Sequence, residues 1–386
     1  MRTLKLCQIA QIADAELTFG DLTVLVGAQA TGKSIALQML KLVVDLGHVQ
    51  EDLSLYVDWS GSLPKFFEAY FGEGMQAIWR EGRSQVAWDG ALVDMAKLVG
   101  RRRKKKDQSM FLIPAQRVLA MRDGWPRPFS DYSPGDPFSV RAFSEQLRGL
   151  VEKEFGGAPE LFPQERRLKS EFRDLLQRHV FGEFHLKVDK VRQKRLVLGA
   201  DADPLPYMVW SAGQREFVPL LLGLYWLMPP TKVARRGDIE WVVIEELEMG
   251  LHPRAISVVM LMVFALMKRG YRVCLSTHSP QVLEAVWALE HLRENGASPA
   301  ELLAAFGVPD ELCTQAMRNV AKAVMEKKVK VFYFDRETGT TRDISDLDPD
   351  QEEAGRAGWG GLTEFSGRVN AAVAHAVANG DAEGQS

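Results

Sequence analysis

The sequence is poor in cysteine and has no large excess of charge of either sign. Its 386 residues include three cysteines, Cys7, Cys274 and Cys313, an odd and scattered set that argues against a disulfide framework. Chains without such a framework are typical of reducing compartments, so a cytoplasmic location is expected. The 48 Lys and Arg residues nearly balance the 51 Asp and Glu residues, giving a net charge of -3. Contact with nucleic acid would therefore have to come from a local patch.

Long hydrophobic runs are also lacking. The longest apolar stretches, residues 217–228 and 255–267, are shorter than the roughly 20 residues that cross a bilayer. Residues 1–11 do not contain the apolar stretch of a signal peptide. The composition, with 46% hydrophobic and 26% charged residues, is that of a globular protein with ample core material. We therefore expect neither a secreted nor a membrane protein, and no membrane partner.

Strand-like and helical patterns alternate along the chain, which predicts an α/β fold. Buried strands are predicted at residues 22–26, 110–113, 241–244 and 272–276, helices at 35–46 and 252–268, and hairpins at 184–199 and 330–344. The strand at 272–276 follows the strand at 241–244 by a single helix, so βαβ winding should place these two strands side by side or nearly so.

A phosphate-binding motif follows the first of these strands. The eight residues of G-x-x-x-x-G-K-[ST] are Gly27, Ala28, Gln29, Ala30, Thr31, Gly32, Lys33 and Ser34. Glycines let the backbone N–H groups turn toward a phosphate, and the next helix points its positive end at the same place. Lys33 is expected to contact the β- and γ-phosphate oxygens, and the Ser34 hydroxyl is expected to bind Mg²⁺. A glycine turn before an ordinary helix is the weaker alternative.

Two further strand ends carry polar side chains. Glu245 and Glu246 follow the apolar run 241–244, and His278 follows the run 272–276. Open α/β sheets bind ligands at the carboxyl ends of their strands. We expect Glu245 to hold Mg²⁺ and Glu246 to orient and deprotonate the attacking water. His278 is positioned to sense the γ-phosphate, although a single strand-end histidine is more often a surface or capping residue.

The segment Ser211-Ala212-Gly213-Gln214 opens an apolar helix. Its serine and its glycine N–H form another candidate anion site at a helix start. Taken alone, the segment is better explained as a plain N-cap.

The order of these motifs resembles the ATPase head of ABC-type proteins, and more narrowly the OLD-like and SMC-like branch of DNA-associated ATPases. Residues 245–253, EELEMGLHP, are similar to the E-E-P-E-x-H-L-H-P stretch of OLD-like proteins, and residues 277–280 resemble their T-H-S-P. Residues 113–117, IPAQR, look like the strand that carries the Q-loop. The resemblance extends to about residue 289, with Leu247 and Gly250 departing from the OLD-like pattern.

This resemblance implies ATP and Mg²⁺ as cofactors and an ATP sandwiched between two copies of the chain. Ser211, Gly213 and Gln214 of one copy would then contact the ATP held by the other, so that hydrolysis requires a homodimer or a higher homo-oligomer. Gln116 would touch Mg²⁺ or the attacking water. The expected fold is an ABC-type P-loop NTPase head, a mixed sheet flanked by helices, over residues 1–294. Insertions are expected at about 47–109 and 126–205, a C-terminal helical and hairpin extension at 295–378, and a flexible tail at 379–386.

OLD-like proteins commonly carry a TOPRIM nuclease, which needs a strand-end glutamate and an Asp-x-Asp. Asp346 and Asp348 match the latter pattern, but they lie in an acidic stretch that is better explained as a solvated loop. We therefore expect no nuclease in this chain and a separate effector, a nuclease or toxin, in DNA repair or anti-phage defence.

A basic block at 101–106, from Arg101 to Lys106, is a candidate DNA contact, together with Lys187, Lys190, Arg192, Lys194 and Arg195. A solvated loop explains it slightly better.

Two other functions remain open alongside an ATP-hydrolysing enzyme that controls an effector. The first is a nucleotide-gated scaffold or sensor with negligible turnover, whose motifs would look the same. The second, disfavoured by the insertion at 47–106 and by the paired glutamates, is an ABC transporter ATPase subunit.

Overall fold

The computed structural model describes residues 2–100, 107–155, 160–165, 167–189, 194–200, 204–229, 234–347, 359, 368–370 and 372–374. The strands are β1 (Arg2–Ile9), β2 (Ile12–Phe19), β3 (Leu22–Gly27), β4 (Gln85–Trp88), β5 (Ala91–Leu92), β6 (Met110–Ile113), β7 (Met121–Arg122), β8 (Trp125–Pro126), β9 (Glu160–Phe162), β10 (His185–Asp189), β11 (Arg195–Gly199), β12 (Leu205–Pro206), β13 (Trp241–Ile244), β14 (Arg272–Thr277), β15 (Val329–Phe334) and β16 (Thr341–Asp343). The helices are α1 (Lys33–Ser54), α2 (Leu63–Phe71), α3 (Met95–Gly100), α4 (Phe138–Gly149), α5 (Ser170–Leu176), α6 (Ala212–Leu227), α7 (Pro253–Lys268), α8 (Pro280–Glu294), α9 (Pro299–Ala305) and α10 (Gln315–Met325).

A six-stranded sheet, in the order β16-β15-β3-β14-β13-β6, forms the centre of the molecule. Five of its strands are parallel, and β16 is antiparallel at one edge. Strands β13 and β14 are neighbours, as the βαβ reasoning predicts. Parallel strands place their carboxyl ends at one edge, so the ends of β3, β13 and β14 meet there. The predicted α/β class, with a mixed sheet flanked by helices, is confirmed.

The central strands are largely buried on both faces, because helices cover one side and α1 with the N-terminal strands covers the other. In β3, for example, Leu22, Val24 and Val26 point into a cluster formed with α6, α7 and α8, whereas Leu25 points toward α1 and the N-terminal strands. The second cluster is closed by the antiparallel sheet β2-β1-β4-β5. This packing holds the start of α1 against the C-terminal end of β3.

Helix α1 runs to Ser54, beyond the predicted end at residue 46, and it contains a kink at Asp45. Asp45 leaves helical geometry there and accepts hydrogen bonds from the N–H groups of Ser109 and Met110, at 2.9 Å each. Lys41 donates to the same carboxylate at 2.6 Å. The kink thus fastens the phosphate-loop helix to the beginning of β6.

Some strands of the expected insertions and of the expected C-terminal extension pair with strands of the expected ATPase head. In the region 47–109, β4 pairs with β1 and so belongs to the N-terminal sheet. Within 126–205, the predicted hairpin forms from β10 and β11, in the sheet β12-β11-β10-β9. The hairpin predicted at 330–344 also forms, but β15 pairs in parallel with β3. That part of the expected C-terminal extension therefore lies in the central sheet. None of the helices in the described part of the chain has both the length and the apolar character needed to span a bilayer.

Candidate functional site

The phosphate loop turns between β3 and α1 through residues with left-handed backbone. Gly27 has φ 145°, Ala30 φ 60° and Gly32 φ 100°. A Cβ on Gly27 would lie 2.5 Å from the carbonyl oxygen of Phe334, and one on Gly32 would lie 2.5 Å from the side chain of Ile12. Both positions therefore require glycine because of close packing as well as φ.

Lys33 lies at the centre of this loop, with only 5% of its surface exposed. Its Nζ donates to the carbonyl oxygens of Gly27 at 2.7 Å and Ala28 at 2.8 Å. Burial lowers the pKa of Lys33 to about 8, and the charges of Glu246 and Glu248 oppose that shift. The ammonium group is thus held inside the loop, where a phosphate would meet it.

Glu245 is the most deeply buried carboxyl of the site, at 1% exposure. Its Oε2 accepts the N–H of Ala115 at 3.1 Å, whereas Oε1 receives no hydrogen bond of normal geometry among the described residues. Burial, with a smaller contribution from the charge of Glu246, raises the pKa of Glu245 to about 7, against interactions with Ala115, Gln38 and Ser34 that lower it. A buried carboxyl beside a hydroxyl and an amide is a set of oxygen atoms that suits Mg²⁺.

Gln38 is a residue that the sequence reasoning missed. It follows Ser34 by four positions on α1, so both side chains lie on one helix face, and its buried Oε1 also has no hydrogen bond in the described part of the molecule. The i,i+4 spacing from the motif serine was the available signal. No group of three or more His, Cys, Asp or Glu side chains that could by themselves hold a metal ion is found among the described residues. A Mg–ATP site does not need one, because phosphates and water complete the shell.

Glu246 and His278 lie across the loop from Lys33. Glu246 has a left-handed φ of 45°, and its N–H donates to the carbonyl oxygen of Ser276 at 3.0 Å. Nε2 of His278 is 3.6 Å from Oε1 of Glu246. Burial and the charge of Lys33 lower the pKa of His278, and Glu246 opposes them. The imidazole is therefore predominantly neutral at pH 7.

One cleft of about 200 Å³ joins these groups. It is lined by Gln11, Gln29, Ala30, Thr31, Gly32, Lys33, Ser34, Ile35, Glu246 and His278. The structure thus brings together most of the motif with the predicted catalytic Glu246 and His278. Gln11, from the turn between β1 and β2, had no signal in the sequence.

The side chain of Glu248 contacts the backbone of His278. Its Oε1 accepts the N–H of His278 at 2.6 Å, while its Oε2 is buried without a hydrogen bond among the described residues. This contact fixes the backbone at the end of β14 relative to the turn after β13.

Arg117 is fully buried and was assigned no role from the sequence. Its guanidinium donates to the carbonyl oxygens of Glu245, Glu246 and Met249 at 3.1 to 3.4 Å. Its Nε donates to the carbonyl oxygen of Glu216 at 3.1 Å and lies 3.4 Å from a carboxylate oxygen of the same residue. The turn that begins with Glu245 and Glu246 is therefore held by one side chain.

Gln116, the predicted Q-loop residue, precedes a 3₁₀ turn after β6, and its side chain is exposed. It does not line the cleft around Lys33. Its neighbour Ala115 makes the contact with Glu245 instead. The role of Gln116 stays a prediction.

Ser211 and Gln214 form a capping box at the start of α6. Ser211 Oγ accepts the N–H of Gln214 at 3.2 Å, and the Gln214 side chain accepts the N–H of Ser211 at 2.9 Å. The structure thus shows the N-cap role. A Cβ on Gly213 would lie 2.6 Å from the carbonyl oxygen of Gly250, so this helix start touches residues 245–251, the acidic turn. Ser211, Gly213 and Gln214 do not line the cleft of their own chain.

The described residues of the candidate DNA patch are paired with carboxylates. Lys187 lies 3.4 Å from Glu160, and Lys194 lies 3.1 Å from Glu152. Arg195 lies 3.5 Å from Asp189. The block at 101–106, Lys190 and Arg192 lie outside the described residues.

Comparison with known proteins agrees with the class of site. Residues 133–284 match a family model described as "AAA domain, putative AbiEii toxin, Type IV TA system". The matched segment contains Ser211, Glu245, Glu246 and His278 and begins after the phosphate loop. The match and the loop together indicate a P-loop ATPase domain. No protein with a curated functional description matches the chain.

Several solved structures are similar to the chain at low identity. The SMC head domain from Thermotoga maritima is 13% identical over 74% of this chain and 92% of that chain, with a TM-score of 0.31. The cbiO1 protein from Clostridium perfringens, part of an ABC transporter complex, is 12% identical over 88% of this chain and 86% of that chain, with a TM-score of 0.34. A dimeric ATP-binding cassette bound to ADP and phosphate is 12% identical over 88% and 97%, with a TM-score of 0.35. These three are SMC or ABC ATPase proteins.

Proposed function

We propose that this chain binds Mg–ATP at the cleft between Lys33, Glu246 and His278 and hydrolyses it to ADP and phosphate. The observation that carries the proposal is the convergence itself. A phosphate loop, a strand-end carboxylate and the histidine of the adjacent strand line one cleft, although they lie far apart in the chain. The family match to an AAA domain supports the same class.

The loop and the start of α1 would hold the phosphate chain. Backbone N–H groups of residues 27–34 and the positive end of α1 attract the phosphates, and Lys33 adds a charge inside the loop. Binding a phosphate lets Lys33 exchange the carbonyl contacts to Gly27 and Ala28 for a charged partner. That exchange favours the protonated amine, against the effect of burial.

Ser34 and Glu245, with Gln38 beside them, fit a Mg²⁺ ion because two buried oxygen atoms there have no hydrogen bond in the described structure. A bound Mg²⁺ would neutralise charge on the phosphate oxygens. We also assign Gln116 to this region, on the resemblance alone.

Glu246 would act as the general base. Its carboxylate would accept a proton from a water molecule as the water oxygen forms its bond to the γ-phosphorus. The bond from that phosphorus to the β–γ bridging oxygen breaks, and ADP leaves with the electron pair. His278, 3.6 Å from Glu246, would orient this carboxylate and contact the γ-phosphate.

We further propose that two copies enclose the nucleotide, with Ser211, Gly213 and Gln214 of one copy contacting the ATP of the other. Their exposed or half-exposed position outside the cleft of their own chain supports action on a second molecule. The capped helix start also presents free N–H groups to an anion.

The biological role we propose is control of a separate cytoplasmic effector, a nuclease or toxin, in anti-phage defence or DNA repair. The OLD-like motif pattern supports this role, and the matching family description names a putative toxin of a type IV toxin–antitoxin system. Affinity purification of the native protein with and without ATP would identify such an effector.

The enzymatic proposal is tested by nucleotide binding and phosphate release with Lys33→Ala and Glu246→Gln. We expect Lys33→Ala to lose ATP binding and Glu246→Gln to bind ATP but to release phosphate at least about 100-fold more slowly. Glu240→Gln is a matched control, because this exposed glutamate lies at the opposite end of the same strand.

Two results would contradict parts of the proposal. Parental turnover by Glu246→Gln would show that Glu246 is not the base. Tight binding by the unmodified protein without phosphate release would favour the nucleotide-gated scaffold instead.

A further inference from the structure

Hydrogen bonds and an ion pair from one buried side chain join the acidic turn, residues 245–251, to the start of α6. Arg117 donates hydrogen bonds to three carbonyl oxygens of the turn and to the carbonyl oxygen of Glu216, in the second turn of α6. Glu216 also pairs with the same guanidinium at 3.4 Å. A charged group with no exposed surface is thus shared between the two elements.

Two glycines make a second connection at the same place. A Cβ on Gly213 would lie 2.6 Å from the carbonyl oxygen of Gly250. Gly250 has φ 72°, and its own Cβ would lie 3.2 Å from Glu216. Backbone therefore meets backbone here, and α6 cannot shift toward the turn without displacing it.

These two connections join groups that serve different nucleotides in the proposed dimer. Glu246 acts on the ATP bound to its own chain, whereas Ser211, at the cap of α6, contacts the ATP of the partner. A displacement of one group moves the backbone that carries the other.

We infer that Arg117 is a positioning residue that couples the two ATP sites of the dimer, by transmitting nucleotide binding at the acidic turn to the start of α6. This inference rests on the proposed function. Arginine is required because its planar fork reaches several carbonyl oxygens at once, whereas lysine offers a single point of charge.

Hydrogen–deuterium exchange tests the coupling without hydrolysis. The experiment uses a Ser211→Arg background, which removes the contact with the partner's nucleotide. Exchange is measured with and without Mg²⁺ and a non-hydrolysable ATP analogue. With Arg117 present, the analogue should slow exchange in the phosphate loop, in the acidic turn and in residues 212–220. With Arg117→Lys, the loop should remain protected while the protection of 212–220 is lost.

Arg167→Lys is the matched control. Arg167 is also buried, and it donates to the carbonyl oxygens of Tyr225 and Met228 at the other end of α6. We expect Arg167→Lys to lower the melting temperature yet to retain nucleotide-induced protection of residues 212–220. Gly250→Ala strains the bridge from the other side, so it provides a second test if Arg117→Lys does not fold.

Turnover gives an independent readout in the chain with Ser211 intact. Because the proposed dimer closes around two ATP molecules, turnover should depend cooperatively on ATP in both proteins, and loss of the coupling should give Arg117→Lys a lower Hill coefficient for ATP than the parent chain. Protection of 212–220 that survives Arg117→Lys or Gly250→Ala would overturn the inference. Protection limited to the phosphate loop in the protein with Arg117 would overturn the inference alone, and no protection of the loop would refute the proposed function as well.

Discussion

Replacing Glu245 by glutamine should stabilise the ligand-free protein at neutral and higher pH. Burial raises the pKa of this carboxyl from 4.5 to about 7, so the folded state keeps a proton that the unfolded state has lost. Folding stability therefore falls as the pH rises from 4.5 to 7 and is constant above that range, as far as Glu245 is concerned. At about 1.4 kcal/mol per pH unit, the loss reaches roughly 3 kcal/mol.

Glutamine removes this loss because it has no charge to bury. Its carbonyl oxygen can accept the N–H of Ala115, and its amide can donate to the buried Oε1 of Gln38, which has no hydrogen bond among the described residues. The variant should match the parent near pH 4.5 and exceed it by roughly 3 kcal/mol at pH 8. The same change should abolish the stabilisation that Mg²⁺ adds to bound ATP.

Urea unfolding in EDTA at several pH values measures the difference, with Glu240→Gln as the control for loss of an exposed carboxylate. The control should stay within about 0.5 kcal/mol of the parent throughout. A Glu245→Gln variant no more stable than the parent at pH 8 would contradict the raised pKa of Glu245. A constant difference between pH 5 and 8 would likewise show that the carboxyl is already ionised in the folded protein.

Three further outcomes follow from other contacts. Ser211→Arg should leave ATP affinity unchanged but abolish ATP-driven dimerisation, measured by light scattering; unchanged dimer formation would contradict action on a second chain. Because the pKa of Lys33 is lowered to about 8, nucleotide affinity in EDTA should fall about tenfold per pH unit above that value, and a flat profile to pH 10 would contradict it. Lys41→Met leaves the buried Asp45 without its cation at 2.6 Å, which should cost about 3 to 5 kcal/mol in denaturant unfolding. A loss below about 1 kcal/mol would show that the N–H groups of Ser109 and Met110 suffice.

The strands and the position of the cleft could be predicted from the sequence because they depend on local signals. Apolar runs that end in glycine, glutamate or histidine indicate buried parallel strands, and the carboxyl ends of such strands meet at one edge. Lys33, Glu246 and His278 come together for that reason. The parallel pairing of β15 with β3 could not be predicted, because it joins segments separated by about three hundred residues with no connecting motif.

The residues that support the site were missed for a different reason. Gln38 and Glu248 act through contacts that depend on which face of a helix or turn is buried, and only Gln38 follows a motif residue at helical spacing. Arg117 directly follows the predicted site residue Gln116. The sequence alone does not show that the side chain of Arg117 is buried and that of Gln116 exposed. Arg117 pairs with backbone carbonyl oxygens and Glu248 with the N–H of His278, and such backbone partners leave no trace in the residue types of the chain.

The unusual features of the site are all ones that a bound nucleotide and metal would make more favourable. Glu246 has a left-handed backbone, Glu245 has a raised pKa, and three oxygen atoms of Gln38, Glu245 and Glu248 are buried without hydrogen bonds among the described residues. Each feature is unfavourable in the ligand-free protein, and Arg117 holds the turn against that cost through its carbonyl contacts. A cation at Glu245 and a phosphate at Lys33 would give these groups partners and so offset part of the cost. Nucleotide and metal should therefore stabilise the fold together more than either does alone.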